Sequence, residues 1–324
     1  METKLPFTVV TAIDDNYVLP FLVMVYSAKI NAQEKFHVTL GFDPKVLSED
    51  SQDLVAQVLR IIEVPFDFVK LTLSSEMEAR GHISATSYSR LLLADQISGL
   101  MLWLDSDLIC LPGWDSIFSE KKNLPNGMVM SVVRDAFVSS ASIEYLSNSS
   151  NESLRIMGSD YFNTGVALID CDLWKSLNYP NLWPAVLKES NLRGFEYADQ
   201  CVLNFLCQRE VNFLPWKYNA LARAKWHSRE TRPFILHFAA GPKPWFYAKT
   251  DSRILTTGIL FPRDVFMYLS YQSQLIKTVN LKNSILGSVL KIERRRIRNK
   301  WNLRHSRILS LPKKIIGLIK TRRS

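Results

Sequence analysis

The sequence predicts an α/β fold in which a largely parallel sheet is flanked by helices. Short apolar runs alternate with segments of helical periodicity over most of the chain, and this alternation is typical of parallel strands joined by crossover helices. The chain has 324 residues, of which 47% are hydrophobic, which is enough to bury a full core. The sequence shows no internal repeat or low-complexity segment. We therefore expect one large domain, or one domain with an appendage.

The predicted strands and helices alternate in a regular order. Each predicted strand is a short apolar run, and these runs lie at 7–13, 36–42, 66–69, 101–104, 128–133, 164–169, 211–214 and 234–238. Each predicted helix has apolar residues at three- and four-residue intervals, and these segments lie at 19–30, 48–61, 87–96, 142–157 and 199–207. A helix between two strands provides the crossover that parallel pairing requires. We expect the apolar positions of these helices to lie in the core.

Charge is distributed unevenly along the chain. Residues 291–324 contain 13 Lys or Arg and one acidic residue, Glu293, which gives a net charge of +12. The whole chain carries +9, so the residues before this tail carry −3. A mildly acidic body is not expected to bind nucleic acid.

The termini, apolar stretches and cysteines indicate a cytosolic protein. The N-terminal residues lack the basic and apolar pattern of a secretory signal. The longest largely apolar stretch, 18–28, is too short to span a bilayer. The four cysteines lack zinc-site or redox spacing, and we expect them to be reduced core residues. They are Cys110, Cys171, Cys201 and Cys207.

Two pairs of aspartates follow predicted strands. Asp105 and Asp107 come directly after one strand, and in an extended chain their side chains point to the same face. Carboxylates this close favour a cation between them, and Mn²⁺ and Mg²⁺ prefer oxygen ligands. Asp170 and Asp172 have the same spacing after another strand. By spacing alone, each pair is either a metal site at a strand end or a solvated strand end or helix cap.

The turn after the first predicted strand is polar. Asp14, Asn16 and Tyr17 lie in it, and such a cluster suits a base and ribose at a first βα turn. Capping of the next helix is an equally good interpretation of these residues. The glycine-rich signatures of dinucleotide dehydrogenases and P-loop NTPases do not occur here.

The last predicted strand runs into a loop whose groups can bind metal and phosphate. His237 can ligate a metal ion, Gly241 allows a backbone to approach a ligand closely, and Lys243 can neutralise phosphate oxygens. Pro242 and Pro244 restrict the loop between them. We interpret this segment as a ligand-binding loop; a turn with a structural histidine is the alternative.

Together these segments resemble the family 8 retaining glycosyltransferases, which include glycogenin and bacterial lipopolysaccharide galactosyl- and glucosyltransferases. Six segments match in chain order: Ala12–Tyr17, Tyr88–Leu91, Leu104–Asp107, Tyr161–Val166, Asp199–Gln200 and His237–Trp245. Each is common by itself, whereas the ordered set is specific. The resemblance implies a GT-A fold, a Rossmann-like mixed sheet flanked by helices, followed here by a basic helical C-terminal tail.

The resemblance implies a metal site and a donor site. Asp105, Asp107 and His237 match the family's Mn²⁺ ligands, with Mg²⁺ as the alternative ion, and the second aspartate pair is then structural. The implied donor contacts are Ala12, Asp14 and Asn16 for the uridine, Ser106 between the metal ligands, Gly241 and Lys243 for the diphosphate, and Arg90, Asn163, Asp199, Gln200 and Asp135 around the sugar. Ala240 occupies the position of the family's loop glycine, and Gly241 follows it.

The implied activity is transfer of galactose or glucose from a UDP-sugar to a saccharide acceptor, such as a lipopolysaccharide core, with retention of configuration. The catalytic candidates are Gln200, Asp199 and Asp135. Gln200 is a poor nucleophile, so we favour front-face attack over double displacement through Asp199. A nucleotide-sugar-binding pseudoenzyme and a nucleotidyltransferase are the alternative functions.

The basic tail has its own pattern. Leu311, Ile315, Leu318 and Ile319 are spaced along one helical face among many Lys and Arg, which is typical of an interfacial helix on anionic lipid. A solvated tail and an RNA-binding arm are the alternatives. We expect a catalytic domain at 1–250, a helical extension at 251–290 and a membrane-associating tail at 291–324, in a cytoplasmic protein at the inner membrane face.

Overall fold

A computed structural model describes residues 7–79, 83–119, 124–137, 161–193, 195, 197–207, 209–222, 232–239, 241–247 and 260–309. The chain divides into two compact units, 1–241 and 242–324. The first unit contains the described strands and is an α/β unit. The described part of the second contains a short 3₁₀ turn and two long helices.

A seven-stranded sheet forms the centre of the first unit, and a three-stranded sheet lies in the same unit. The strands are β1 Thr8–Ala12, β2 His37–Phe42, β3 Phe66–Lys70, β4 Leu100–Leu104, β5 Leu108–Cys110, β6 Met130–Arg134, β7 Phe162–Asp170, β8 Val211–Phe213, β9 Ala220–Leu221 and β10 Ile235–His237. The large sheet has the order β3-β2-β1-β4-β7-β6-β8, and the small sheet has the order β5-β10-β9.

The large sheet is mixed. Strands β1, β2, β3 and β4 pair in parallel, as do β6 and β8. Strand β7 is antiparallel to both of its neighbours, β4 and β6. The sheet is therefore less uniformly parallel than the alternation of elements predicts, because β7 enters from the opposite direction.

The helices of the first unit are α1 Val18–Asn31, α2 Glu49–Ile61, α3 Ser89–Gln96, α4 Ser116–Ser119, α5 Cys171–Ser176, α6 Tyr179–Arg193 and α7 Ala198–Cys207. Helix α1 is buried along most of its length, as expected for a helix that is apolar on all sides. Helix α2 is amphipathic and begins at Ser48, whose hydroxyl accepts a hydrogen bond from the Ser51 N–H, with Glu49 and Asp50 in its positive first turn.

The small sheet fixes the segment that follows Asp107. Strand β5 begins at the next residue and pairs antiparallel with β10, with His237 opposite Leu108. The Phe238 N–H donates to the Asp107 carbonyl at 2.9 Å. Helix α1 holds the far end of β5, because Ser27 Oγ accepts from the Cys110 N–H at 2.9 Å. The segment after β4 is thus attached to β10 and, through β5, to helix α1.

The second unit contains helices α8 Pro262–Lys282 and α9 Ser284–Leu309. The helices approach closely at Gly287, where an added Cβ would lie 2.5 Å from the Asn280 Cβ. Lys291 Nζ donates to Asn280 Oδ1 at 2.9 Å across the same contact. Helix α9 continues without a break through residue 290. Among the described residues, no helix combines the length and apolarity needed to cross a membrane.

The structure confirms the fold class, and most predicted elements lie within a few residues of the observed ones. The predicted helix at 142–157 and the predicted apolar stripe of Leu311, Ile315, Leu318 and Ile319 lie outside the described residues. The sequence analysis missed α4, α5, α6 and the short strands β5 and β9. These short strands have too few residues to show periodicity. The four cysteines are buried and free, as expected.

Candidate active site

The carboxyl ends of two central strands meet at one edge of the sheet. Val10 of β1 pairs with Trp103 of β4 in parallel register, and Ala12 and Asp105 each lie two residues further along. The turn after β1 and the aspartate pair after β4 therefore share the edge at which open α/β sheets bind ligands.

Asp105, Asp107 and His237 converge at this edge. Each offers one ligand atom, and these three atoms lie within 4.8 Å of one another. His237 Nε2 is 3.1 Å from Asp107 Oδ1 and 3.8 Å from Asp105 Oδ2. Two carboxylates and one imidazole at this separation suit a divalent metal ion. The structure thus brings His237 next to two aspartates that lie far from it in the sequence.

Neighbouring donors fix the orientation of Asp105. Its Oδ1 accepts hydrogen bonds from Trp103 Nε1 at 2.7 Å and from Arg90 Nη2 at 3.0 Å. The Arg90 guanidinium also lies over the Trp103 ring, 4.7 Å from the centroid. With Oδ1 held by these donors, Oδ2 faces His237.

Arg90 connects the metal site to Asp199. Its Nε forms an ion pair with Asp199 Oδ2 at 2.8 Å, and both side chains are almost fully buried. Arg90 also donates to the carbonyls of Ser87 and Thr164. Burial raises the pKa of Asp199, while the Arg90 charge and the Ser87 hydroxyl oppose that rise. Asp199 is therefore held by a charge pair inside the protein.

Gln200, Asn163 and Asp135 form a hydrogen-bonded cluster beside this pair. Asn163 Nδ2 donates to Gln200 Oε1 and to Asp135 Oδ2, each at 3.1 Å. Gln200 Nε2 donates to Asp135 Oδ2 at 3.2 Å. These three residues, predicted to surround the donor sugar, thus lie together.

Asn219 and Gly165 contribute to the site although the sequence analysis assigned them no role. Asn219 Oδ1 lies 2.9 Å from His237 Nδ1. An added Cβ at Gly165 would lie 2.2 Å from His237 Cε1 and 2.9 Å from Asp105 Oδ2, so only glycine fits here. A glycine inside a buried strand indicates such a close approach, whereas Asn219 gives no sequence signal.

The turn after β1 is held in a fixed conformation. Asp14 Oδ1 accepts from the Asn16 N–H at 2.8 Å, and its Oδ2 accepts from Ser84 Oγ at 3.1 Å. Asn16 is exposed. Asp14 therefore forms an Asx-type turn, and helix α1 begins without a side-chain cap from Tyr17.

The remaining predicted site residues lie in different settings. Ser106 is buried between the two aspartates. Gly241 is exposed, and an added Cβ there would meet nothing within 4 Å. Lys243 belongs to the second unit, where it is largely buried, with Nζ 5.9 Å from the Trp245 ring centroid.

The second aspartate pair begins a helix. Asp170 Oδ1 accepts from the N–H groups of Asp172 and Leu173 at 3.1 and 2.9 Å, which makes Asp170 the N-cap of α5. Asp172 is exposed in the first turn and lies 3.7 Å from Lys175 Nζ. This pair has the structural role that the alternative interpretation gives it.

Comparison with known proteins identifies related chains. A family described as "Glycosyl transferase family 8" matches residues 8–249. The Lipopolysaccharide 1,2-glucosyltransferase of Escherichia coli is 27% identical over 277 residues, which cover 78% of this chain and 78% of that protein. The Lipopolysaccharide 1,3-galactosyltransferase of Salmonella typhimurium is 24% identical and covers 74% and 73%, respectively.

Solved structures show the same fold at lower sequence identity. The galactosyltransferase LgtC, in complex with donor and acceptor sugar analogs, superposes with a TM-score of 0.62 at 20% identity. The match covers 83% of this chain and 96% of that chain. This similarity confirms the GT-A fold predicted from the sequence.

Proposed function

Because the chain belongs to glycosyltransferase family 8 and is a hexosyltransferase related to the lipopolysaccharide glycosyltransferases, we propose that it moves galactose or glucose from a UDP-sugar to a saccharide acceptor with the help of a divalent metal ion. The observation that carries this proposal is the convergence of Asp105, Asp107 and His237 at the carboxyl end of β4.

The residues present fit a metal ion. The donor set contains two carboxylates and one imidazole, which favours Mn²⁺ over the strictly oxygen-seeking Mg²⁺. Gly165 leaves the space beside His237 that a side chain would fill. When bound, the ion would supply Lewis-acid stabilisation of the negative charge on the leaving diphosphate.

We assign the nucleotide to the turn after β1 and to the loop after β10. Ala12, Asp14 and Asn16 would contact the uridine, and the fixed Asp14 turn supports this by presenting polar groups without reorganisation. Gly241 and Lys243 would contact the diphosphate, where an ammonium group neutralises phosphate oxygens.

We assign the donor sugar to the cluster of Arg90, Asn163, Asp199, Gln200 and Asp135, and we propose front-face attack. Asp199 is buried and ion-paired with Arg90. A glycosyl ester formed on its carboxylate would remove the negative charge and break this buried ion pair, which is costly. In the front-face route the acceptor oxygen forms the new bond as the sugar–phosphate bond breaks, and the leaving phosphate oxygen takes the acceptor's proton.

The acceptor that we propose is a lipid-linked oligosaccharide such as a growing lipopolysaccharide core. Two relatives carry lipopolysaccharide transfer in their names, one with glucose and one with galactose. These names support the acceptor class, and the donor screen described below distinguishes galactose from glucose.

We further propose that the basic tail attaches the enzyme to the cytoplasmic face of the inner membrane. Support comes from the described part of α9, where Ile285, Val289 and Ile292 are exposed at helical spacing. Arg295 and Arg296 lie on the same helix and are also exposed. Exposed apolar residues beside basic ones suit an anionic lipid surface.

A donor screen tests the proposed reaction. The purified chain is incubated with Mn²⁺ and with UDP-galactose, UDP-glucose or UDP-N-acetylglucosamine, and released UDP is measured. We expect UDP from one of the two hexose donors and a loss of release on chelation with EDTA. Release that is unaffected by EDTA would contradict the proposed metal requirement.

Substitution of the aspartates tests the metal assignment. Asp105→Ala and Asp107→Ala each remove one ligand, and we expect both to abolish transfer and Mn²⁺-dependent UDP binding, measured by calorimetry. Asp172→Ala is the matched control, since Asp172 has the same spacing but lies exposed on α5. Equal loss in the control would show that the ligands are assigned to the wrong pair.

A further inference from the structure

We infer that Asn219 is a positioning residue that fixes the tautomer of His237 and thereby directs its Nε2 lone pair toward Asp105 and Asp107. This inference rests on the proposed metal site and assigns to that site a residue outside the ligand set. Asn219 and His237 are both buried, so water does not compete readily for their contact.

A backbone group determines the orientation of the Asn163 side-chain amide. The Gly165 N–H can only donate, and it lies 3.0 Å from Asn163 Oδ1. The atom of Asn163 at this contact must therefore be its oxygen. The Asn163 amide nitrogen then faces Gln200 and Asp135, as its hydrogen bonds require.

The orientation of Asn163 in turn determines that of Asn219, which contacts His237. The Asn219 atom that lies 2.8 Å from Asn163 Oδ1 must be the amide nitrogen, because an oxygen there would face another oxygen. The remaining Asn219 atom, Oδ1, faces His237 Nδ1 at 2.9 Å. An acceptor at this distance requires a proton on Nδ1, so the neutral ring presents its lone pair at Nε2.

Strand pairing holds the two residues at this distance. Asn219 immediately precedes β9, which pairs in parallel with β10 so that Leu221 lies beside His237. The Ala222 N–H donates to the His237 carbonyl at 2.8 Å. The contact between Asn219 and His237 is thus built into the small sheet.

The chain of hydrogen bonds also joins the metal ligand to the donor-sugar cluster. Gln200 Oε1 accepts from Asn163, Asn163 Oδ1 accepts from Asn219, and Asn219 Oδ1 accepts from His237. Partners of this kind orient a ligating histidine, and their loss weakens metal binding by about 10- to 100-fold.

Two variants of Asn219 test the inference, with Mn²⁺ affinity as the first measurement. Asn219→Leu keeps the size of the side chain but removes the acceptor, and we expect about 10- to 100-fold weaker Mn²⁺ binding. Asn219→Asp keeps an acceptor for Nδ1–H but replaces the donor to Asn163 Oδ1 by an oxygen, so we expect its Mn²⁺ affinity to lie between those of Asn219→Leu and wild type. Asn212→Leu, which removes the partner of Ser131 Oγ in β6, is the matched control and should leave affinity unchanged.

The second measurement is the ¹⁵N spectrum of His237 in the metal-free protein, because the two ring nitrogens give distinct signals in the two tautomers. We expect the proton on Nδ1 in the wild type and in Asn219→Asp, and a mixture in Asn219→Leu. A wild-type proton on Nε2 would overturn the inference, even if Asn219→Leu does not fold.

The two proposals fail in different ways. If the wild type binds no Mn²⁺, the metal-dependent function is wrong, while the spectrum still tests the tautomer. If the wild type binds Mn²⁺ and a folded Asn219→Leu binds it equally well, the role of Asn219 is wrong and the function stands.

Discussion

Asp105 accepts hydrogen bonds from Arg90 and Trp103 through one carboxylate oxygen, while its other oxygen faces His237. His237 is held in turn by Asn219. Two of the three proposed ligands are therefore oriented by partners that lie outside the ligand set. Such preorganisation lowers the cost of assembling a metal site. It also makes the site sensitive to substitution of residues that contact the ligands.

Gly165→Ala tests this sensitivity. The new Cβ would lie 2.2 Å from His237 Cε1, so the ring must move, and we expect Mn²⁺ affinity to fall by about 10-fold or more. The measurement is titration of the purified variant with Mn²⁺. Gly41→Ala is the control, because the atoms nearest to its added Cβ belong to the side chains of Leu93 and Leu71. It should lower stability without changing metal affinity; equal losses of affinity in both variants would contradict the close-packing explanation.

Gln200→Ala tests the assignment of this amide to the sugar. We expect turnover to fall by about 100-fold, as for removal of one preorganised polar group, with UDP affinity within a few-fold of wild type. Steady-state kinetics and UDP titration measure the two quantities. The exposed Gln274 of α8 provides the control substitution. A large loss of UDP affinity in Gln200→Ala would count against the assignment, and a trapped glycosyl adduct on Asp199 would overturn front-face attack.

At the scale of elements, strand β7 serves two functions at its two ends. Its first half carries Asn163 and Gly165 into the site. Its last residue, Asp170, caps helix α5. Because β7 is antiparallel to β4, its last residue, Asp170, lies beside Leu100 at the start of β4, whereas its first half lies beside the end of β4, which precedes Asp105. The two aspartate pairs therefore lie at opposite edges of the same sheet.

Asp170→Ala tests the structural role of the second pair. Loss of an N-cap acceptor costs about 1 kcal/mol, which lowers the melting temperature by about 2–4 °C in a folding unit of about 150–250 residues, a range that includes the first unit, residues 1–241. Thermal unfolding followed by circular dichroism measures this change. We expect Mn²⁺ affinity to remain at the wild-type value; a loss of metal binding would mean that Asp170 acts at the site.

At the scale of the whole molecule, the proposed metal site and the basic charge lie in different parts of the chain. The proposed metal site lies in the first unit, residues 1–241, whereas the +12 charge lies in residues 291–324 of the second. Such a division suits an enzyme whose catalytic residues recognise the donor and whose tail locates it on a surface.

Removal of residues 310–324 tests the proposed membrane attachment. The deletion takes away five basic residues and the four apolar residues of the predicted stripe but spares α9. Since each basic residue near an anionic surface contributes about 1 kcal/mol, we expect the truncated protein to bind anionic vesicles much more weakly than the full chain in a sedimentation assay. The eight basic residues left at 291–309 account for the binding that remains. Activity toward a small soluble acceptor should remain, because the matched motifs lie before residue 246.

A full-length variant in which Leu311, Ile315 and Leu318 become Ser separates charge attraction from insertion. Binding by charge alone would survive this change and would weaken with salt, whereas insertion of an apolar face would be lost. If the truncated protein sedimented with vesicles as well as the full chain did, residues 310–324 would not take part in the attachment.

The sequence by itself determined the fold class and most of the chemistry. Alternating apolar runs predicted the strands, and the residues at the strand ends included Asp105, Asp107, His237 and Gln200. These features are local, because strand and helix periodicity and short motifs depend on neighbouring residues. The same local spacing could not distinguish the two aspartate pairs without the family resemblance.

Only the tertiary structure decided how these residues act together. Three features join residues that are not neighbours in the chain. Asn219 contacts His237, and Gly165 leaves space beside the same ring. Arg90 forms ion pairs with Asp105 and Asp199. Strand register and the small β5-β10-β9 sheet set these distances. Register depends on pairing between distant segments, and short strands carry no periodic signal of it.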